Sequence, residues 1–216
     1  ALEYFVQNGG LFAISTGRAL PAFLNYAKDV PMSAPGVIAN GAAIYDFHAG
    51  RYLYTAFLSE DTRTHMAELL ARFPTLAFEV YHEDRRIHAM NPNHYIRSHE
   101  HLTRAAVQVV ESFSEIDFPI IKILFEEDSP LLAQVEAFIR SRPWSGEYEL
   151  IYSSDHLLEL TAAGATKGGM ILRLAEMLGV ARGDIYCIGD HKNDLPMLEA
   201  SAVPFAPANA IPEVLD

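Results

Sequence analysis

A single cysteine, Cys187, rules out an internal disulfide. It lies in the apolar run Ile185-Tyr186-Cys187-Ile188, which makes it a buried small side chain rather than a nucleophile. Basic residues are scarce: 16 Lys and Arg stand against 28 Asp and Glu, a net charge of −12. A nucleic-acid partner would need a basic face, so none is expected. A phosphorylated ligand is not excluded, because one divalent ion and one lysine can reverse the local sign. No apolar stretch approaches the roughly 20 residues of a membrane helix, and no signal-peptide pattern opens the chain. A reducing, cytoplasmic setting without a membrane partner is the expectation. No Gly-x-Gly-x-x-Gly follows any apolar run, which argues against a dinucleotide-binding oxidoreductase.

With 216 residues, half of them apolar, the chain can bury one large core or two smaller ones. Residues 1–8 read as the tail of a helix stopped by Gly9-Gly10. Leu11–Ser15 reads as a short buried strand, Arg18–Val30 as a helix with Pro21 in its first turn, and Val37–Ala39 as another strand. Helix, strand, helix, strand is the rhythm of a parallel sheet with crossover helices. That rhythm resumes after Thr161. Lys167–Leu178 is a helix ended by Gly179, Ile185–Ile188 a strand, Asp194–Ala200 a helix and Val203–Ala206 a last strand.

Between these halves the pattern changes. Strand-like runs at Tyr52–Leu58, Leu76–Tyr81, Arg86–Met90, Ile120–Phe125, Tyr148–Tyr152 and Leu157–Thr161 alternate with helical segments at Glu60–Phe73 and Ser129–Arg140. Strands joined by turns, with a few interposed helices, describe an α+β module. The expected division is an α/β domain of residues 1–46 and 161–216, interrupted by an α+β domain of residues 47–160. Residues Asn91–His101 are the least patterned and read as a loop. His94, His99 and His101 on it match no zinc-ligand spacing and read as solvated. The run Glu126-Glu127-Asp128 reads as a solvated approach to a helix, and Trp144 as core.

Three short elements carry chemistry. Gly189-Asp190-His191-Lys192-Asn193-Asp194 follows a strand and precedes a helix, at the end of the strand where open α/β sheets hold their sites. Asp190 and Asp194 would repel each other unless a cation or a proton sits between them, and oxygen ligands suit Mg2+. The competing reading is an Asx-rich turn capping the next helix. Thr16-Gly17-Arg18 closes a strand and opens a helix, as either an anion site or a plain cap. Lys167 opens a helix, where its charge opposes the dipole unless an anion lies between them; otherwise it is a surface lysine behind a Thr166 cap.

In this order, Thr16-Gly17-Arg18, Lys167-Gly168 and Gly189-Asp190-x-x-Asn193-Asp194 resemble the haloacid dehalogenase (HAD) superfamily. Ala39-Asn40-Gly41-Ala42, Leu158-Glu159-Leu160 and Asn209-Ala210 extend the resemblance to the Cof-type (subclass IIB) sugar-phosphatase branch over nearly the whole chain. The resemblance implies a Rossmann-like α/β core with an inserted α+β cap. It implies a Mg2+-dependent phosphatase acting on a small phosphorylated metabolite through an aspartyl-phosphate. Thr16, Lys167 and Asp190 would be catalytic. Thr16, Gly17, Arg18, Asn40, Lys167 and Asn193 would bind substrate, and Asp190 and Asp194 would hold the metal. The family's first motif, Asp-x-Asp-Gly-Thr, carries the nucleophile, and no Asp-x-Asp occurs in these residues. The expectation is therefore a chain cut at both ends, its nucleophile upstream of Ala1, and inactive as written. The alternatives are a non-catalytic metal- and phosphate-binding module, or a sugar phosphomutase. The oligomeric state is not legible.

Overall fold

The computed structural model describes residues 1–216. Helix α1 (Leu2–Gln7) ends at Asn8, and the chain then turns through Gly9. Leu11–Ser15 does not form the full strand its apolar run suggests. Ser15 alone bridges to Val37, in parallel, with Val37 N–H donating to Ile14 O and Thr16 N–H to Val37 O, both at 2.9 Å. The segment pairs on one side only, so most of it stays half-exposed. Helix α2 (Leu20–Ala27) buries Leu20, Ala22 and Phe23. Strands β1 (Gly36–Ile38), β2 (Ala43–Asp46) and β3 (Arg51–Thr55) form an antiparallel sheet in that order. The β2–β3 turn is fixed by Asp46 Oδ1, which accepts from the N–H groups of His48 and Ala49 at 2.9 Å each.

The chain then enters a second sheet of six strands. Helix α3 (Thr62–Arg72) leads to β4 (Phe78–Tyr81) and β5 (Ile87–Met90), and α4 (His94–Thr103) to β6 (Gln108–Val109) and β7 (Lys122–Glu126). Helix α5 (Ser129–Arg140) leads to β8 (Tyr148–Ser154) and β9 (Leu157–Ala162). The strand order is β6-β5-β4-β7-β9-β8, antiparallel throughout except β5 with β6. Side chains alternate across a strand. Phe78, Val80, Ile123, Phe125, Leu158 and Leu160 therefore share one face, packed with Met66 and Leu69 of α3 and Leu132, Val135 and Ile139 of α5. The intervening residues Glu79, Lys122, Glu126, Glu159 and Thr161 are also buried, on the opposite face.

Two expectations fail here. Residues 91–101 are not a loop: Asn93 Oδ1 accepts from the N–H groups of Tyr95 and Ile96, and α4 runs to an Arg104 cap in the left-handed conformation. The helix packs on the sheet face that carries Glu79 and Glu126; of its residues only Ile96, against Ala77 and Ala89, and Thr103 are buried. Nor is 126–128 a solvated run. Glu126 is fully buried, Glu127 accepts from Ala77 N–H at 3.0 Å, and Asp128 caps α5.

Helix α6 (Lys167–Leu178) begins behind Thr166, whose Oγ1 accepts from Gly169 N–H at 3.1 Å, and ends at left-handed Gly179. Met170 and Leu174 pack on Val37 of β1 and Ile44 of β2. That apolar contact joins segments far apart in sequence. Strand β10 (Tyr186–Ile188), α7 (Leu195–Ala200), β11 (Val203–Phe205) and α8 (Pro212–Leu215) complete the chain, with β10 and β11 paired in parallel. Two compact units result: Ala1–Thr55 with Ala165–Asp216, and Ala56–Gly164. The first division therefore falls after β3 rather than at residue 47, because the β2–β3 hairpin extends the sheet begun by β1. The second falls at 164/165 rather than 160/161, since β9 runs on to Ala162.

Candidate active site

Three segments of the first unit, with Pro207 after β11, converge on one cavity of about 260 Å³. Thr16 and Gly17 come from the loop before α2, Lys167 from the start of α6, and Gly189, Asp190 and Asp194 from the loop after β10. Sequence reading missed Ser15, Ile188 and Pro207, which also line it. Ser15 and Ile188 were read as strand residues, and nothing in their types marks them as cavity-facing. The Ser15 hydroxyl is buried there without a hydrogen-bond partner.

The centre of the arrangement is an ion pair. Lys167 Nζ donates to Asp194 Oδ1 at 2.5 Å, with both side chains buried. The other oxygen, Oδ2, accepts from Asp190 N–H at 3.0 Å and His191 N–H at 3.3 Å. Burial alone would raise the Asp194 carboxyl, but Lys167 and the two N–H groups outweigh it and hold the carboxyl below its usual value. Asp194 thus commits one oxygen to Lys167 and the other to the backbone of its own loop. Gly189 is required by the same closeness, since a Cβ there would lie 2.4 Å from Asp194 Cβ. Lys167 is not the exposed lysine of the plain-cap reading; it is 5% exposed.

Asp190 differs from Asp194. It is exposed and borders the cavity. Thr16 Oγ1 accepts from Arg18 N–H at 3.2 Å, which leaves the hydroxyl proton for a further acceptor. The Arg18 side chain is not among the cavity walls; its guanidinium lies over the Tyr26 ring, 4.9 Å from the centroid. Asn40 is fully buried and Asn193 is half-buried, and Asn193 Nδ2 donates to Asn40 Oδ1 at 2.9 Å. This amide pair ties the 189–194 loop to the 39–41 turn, and neither residue lines the cavity. The turn is strained: Ala39 and Asn40 hold φ of +52° and +54°, uncommon for residues with a Cβ. Gly41 follows at φ +101°, where a Cβ would strike the Thr166 carbonyl at 2.3 Å. Cys187 is buried behind the loop, and burial with the nearby Asp194 charge pushes its thiol up to about 11, so it is no nucleophile at neutral pH.

A family model described as haloacid dehalogenase-like hydrolase matches residues 1–216. The chain belongs to this family. Within it, the hydrolase is of the Cof type. It is 28% identical over 224 residues to YxeH of Bacillus subtilis, a match spanning all of this chain and 81% of that one. It is 26% identical over 239 residues to the 5-amino-6-(5-phospho-D-ribitylamino)uracil phosphatase YwtE of the same organism, covering 99% of this chain and 81% of YwtE. A haloacid dehalogenase-like hydrolase from Bacteroides thetaiotaomicron superposes with a TM-score of 0.85 at 23% identity, over 99% of this chain and 81% of that one. These matches carry the Rossmann-like α/β fold and the enzyme class, a phosphoric monoester hydrolase. No helix is long and apolar enough to cross a membrane.

Proposed function

We propose that the hydrolase cleaves a small phosphorylated metabolite, a sugar phosphate or a phosphorylated ribityl compound, with Mg2+ and through an aspartyl-phosphate. The observation that carries this reading is one cavity bordered by Thr16, by the buried Lys167–Asp194 pair and by the open carboxylate of Asp190. The donor set suits Mg2+, which prefers carboxylate oxygens and keeps several waters. Asp190 would hold the ion, and Asp194 would support it by fixing the loop. When bound, Mg2+ would supply charge neutralisation and polarisation of a phosphoryl oxygen.

The chain's own residues do the rest. Thr16 donates its hydroxyl proton to a phosphoryl oxygen, and Gly17 lets the backbone come close. Lys167, its position set by Asp194, offsets the negative charge that gathers as the phosphoryl group moves. Asn40 and Asn193 hold the two loops in register. The inserted unit would act as the cap of the family. The nucleophile is an aspartate outside these 216 residues. What supports this is the pairing at the cavity. The segment ending at Ser15 pairs only with β1, β10 pairs only with β11, and each leaves an edge free beside the same cavity. A further strand carrying Asp-x-Asp-Gly-Thr would fit both edges.

The test is phosphate release from a panel of sugar phosphates and p-nitrophenyl phosphate with Mg2+. The 216-residue chain is expected to be inactive. The gene product that includes the preceding segment is expected to turn over, and Asp190→Asn in it to lose about 100-fold or more in kcat/KM. Turnover by the 216-residue chain alone overturns the assignment of the nucleophile. A preceding segment without Asp-x-Asp leaves a metal- and phosphate-binding module instead.

A further inference from the structure

The inserted unit carries a second cluster with metal-ligand chemistry, formed by residues that the cavity does not use. Glu79 on β4, Glu126 on β7 and His99 on α4 present one donor atom each, all within 4.8 Å of one another. His99 Nδ1 lies 3.2 Å from Glu79 Oε2 and 3.1 Å from Glu126 Oε1. Both glutamates are buried to within 1%. The second oxygen of Glu126, Oε2, is buried with no hydrogen-bond partner. An unsatisfied carboxylate oxygen in a dry interior is costly, and native proteins rarely leave one without a proton, a water or an ion.

We propose that Glu79, His99 and Glu126 form a binding site for one divalent transition-metal ion of the Zn2+ class, which fastens helix α4 to the sheet. Three further observations agree with it. The separations fit: four-coordinate bonds of about 2.0–2.1 Å put neighbouring donors roughly 3.3 Å apart, close to the nitrogen–oxygen distances here. The composition fits: two buried carboxylates face one imidazole. The support fits as well, because the Tyr81 hydroxyl donates to Glu79 Oε2, the oxygen that faces His99, and holds it in place. The imidazole favours Zn2+ and its neighbours over Mg2+. Its side chain is 21% exposed, which gives an ion a way in.

The 216-residue chain, stripped with a chelator, is titrated with Zn2+ against a colorimetric competitor and separately with Co2+. One equivalent is expected, with visible Co2+ absorption of a low-coordinate nitrogen–oxygen site. Changing a group behind a ligand costs 10–100-fold in affinity, so His99→Ala is expected to cost at least about 100-fold. Asp190→Asn, on the exposed cavity loop, is expected to leave both signals intact. If His99→Ala does not fold, Glu126→Gln is used, with a Zn2+-dependent rise in Tm expected in the unmodified chain and absent in the variant. No uptake at micromolar metal overturns the proposal and leaves a buried acid pair sharing a proton with His99. Uptake lost with Asp190→Asn but kept with His99→Ala also overturns it.

Discussion

Lys167 and Asp194 show how a single pair can serve stability and chemistry together. An ammonium at a helix N-terminus opposes the helix dipole, and here the carboxylate at 2.5 Å compensates it. Breaking a buried pair by removing one partner costs about 3–5 kcal/mol, because the other charge stays behind without a partner. Lys167→Met keeps the bulk and removes the charge, so a loss in that range is expected in urea unfolding. The acid limb follows from the depressed Asp194 carboxyl. A group whose folded pKa lies below its unfolded value of 3.8 adds stability above that pH and loses it as pH falls further. Stability of the unmodified chain should therefore drop below about pH 4, and Asp194→Asn should flatten that limb. An acid limb of equal steepness in the variant would mean that other carboxylates set it. Asp190, Asp194 and Lys167 stood out in the sequence as an acidic loop after a strand and a lysine at a helix start, each with a plain-cap reading beside it; the structure places all three around one cavity. The partnership between Lys167 and Asp194 was not legible, since nothing in spacing brings positions 27 apart together.

Among the elements, α4 shows where periodicity fails. An amphipathic helix announces itself by apolar residues at i, i+3 and i+4, and α4 instead offers His99 to two buried glutamates. Its one fully buried apolar side chain, Ile96 on Ala77 and Ala89, is too little to mark ten residues as a helix. The surviving signal was local: Asn93 before the helix, with Oδ1 accepting from Tyr95 and Ile96 N–H and Nδ2 donating to Glu126 O at 2.8 Å. Asn93→Ala removes both roles. A lost cap costs about 0.5–2 kcal/mol, and the lost tie to β7 adds to it. Native-state hydrogen exchange should accelerate across 94–103 and little elsewhere. Exchange spread evenly over the inserted unit would show that α4 does not open by itself. By contrast, α5 and α6 were legible to the residue, because each buries an apolar stripe behind a capping residue, and α6 also stops at Gly179.

Across the whole molecule, the two units differ in how they use the chain. Residues 56–164 are contiguous, form a complete six-stranded sheet and enclose their own apolar core. Their two ends meet at one strand start. Ser59 Oγ donates to Glu147 Oε2 at 3.4 Å, and Ala163 N–H donates to Glu147 O at 2.9 Å. Adjacent ends are what allow a domain to be inserted into a loop of another without straining either. The other unit is assembled from two distant segments, and its exposed Tyr186, Ile188 and Phe205 lie on the short β10–β11 pair. The break in rhythm after Val37–Ala39 and its return after Thr161 made this interruption visible in the sequence. The edges were less visible, because the turn at 46–51 reads the same whether its hairpin belongs to the outer or the inserted unit. A polypeptide of residues 56–164 is therefore expected to fold alone, with a single cooperative thermal transition and dispersed amide resonances. A molten, uncooperative species would mean that this core needs the flanking unit.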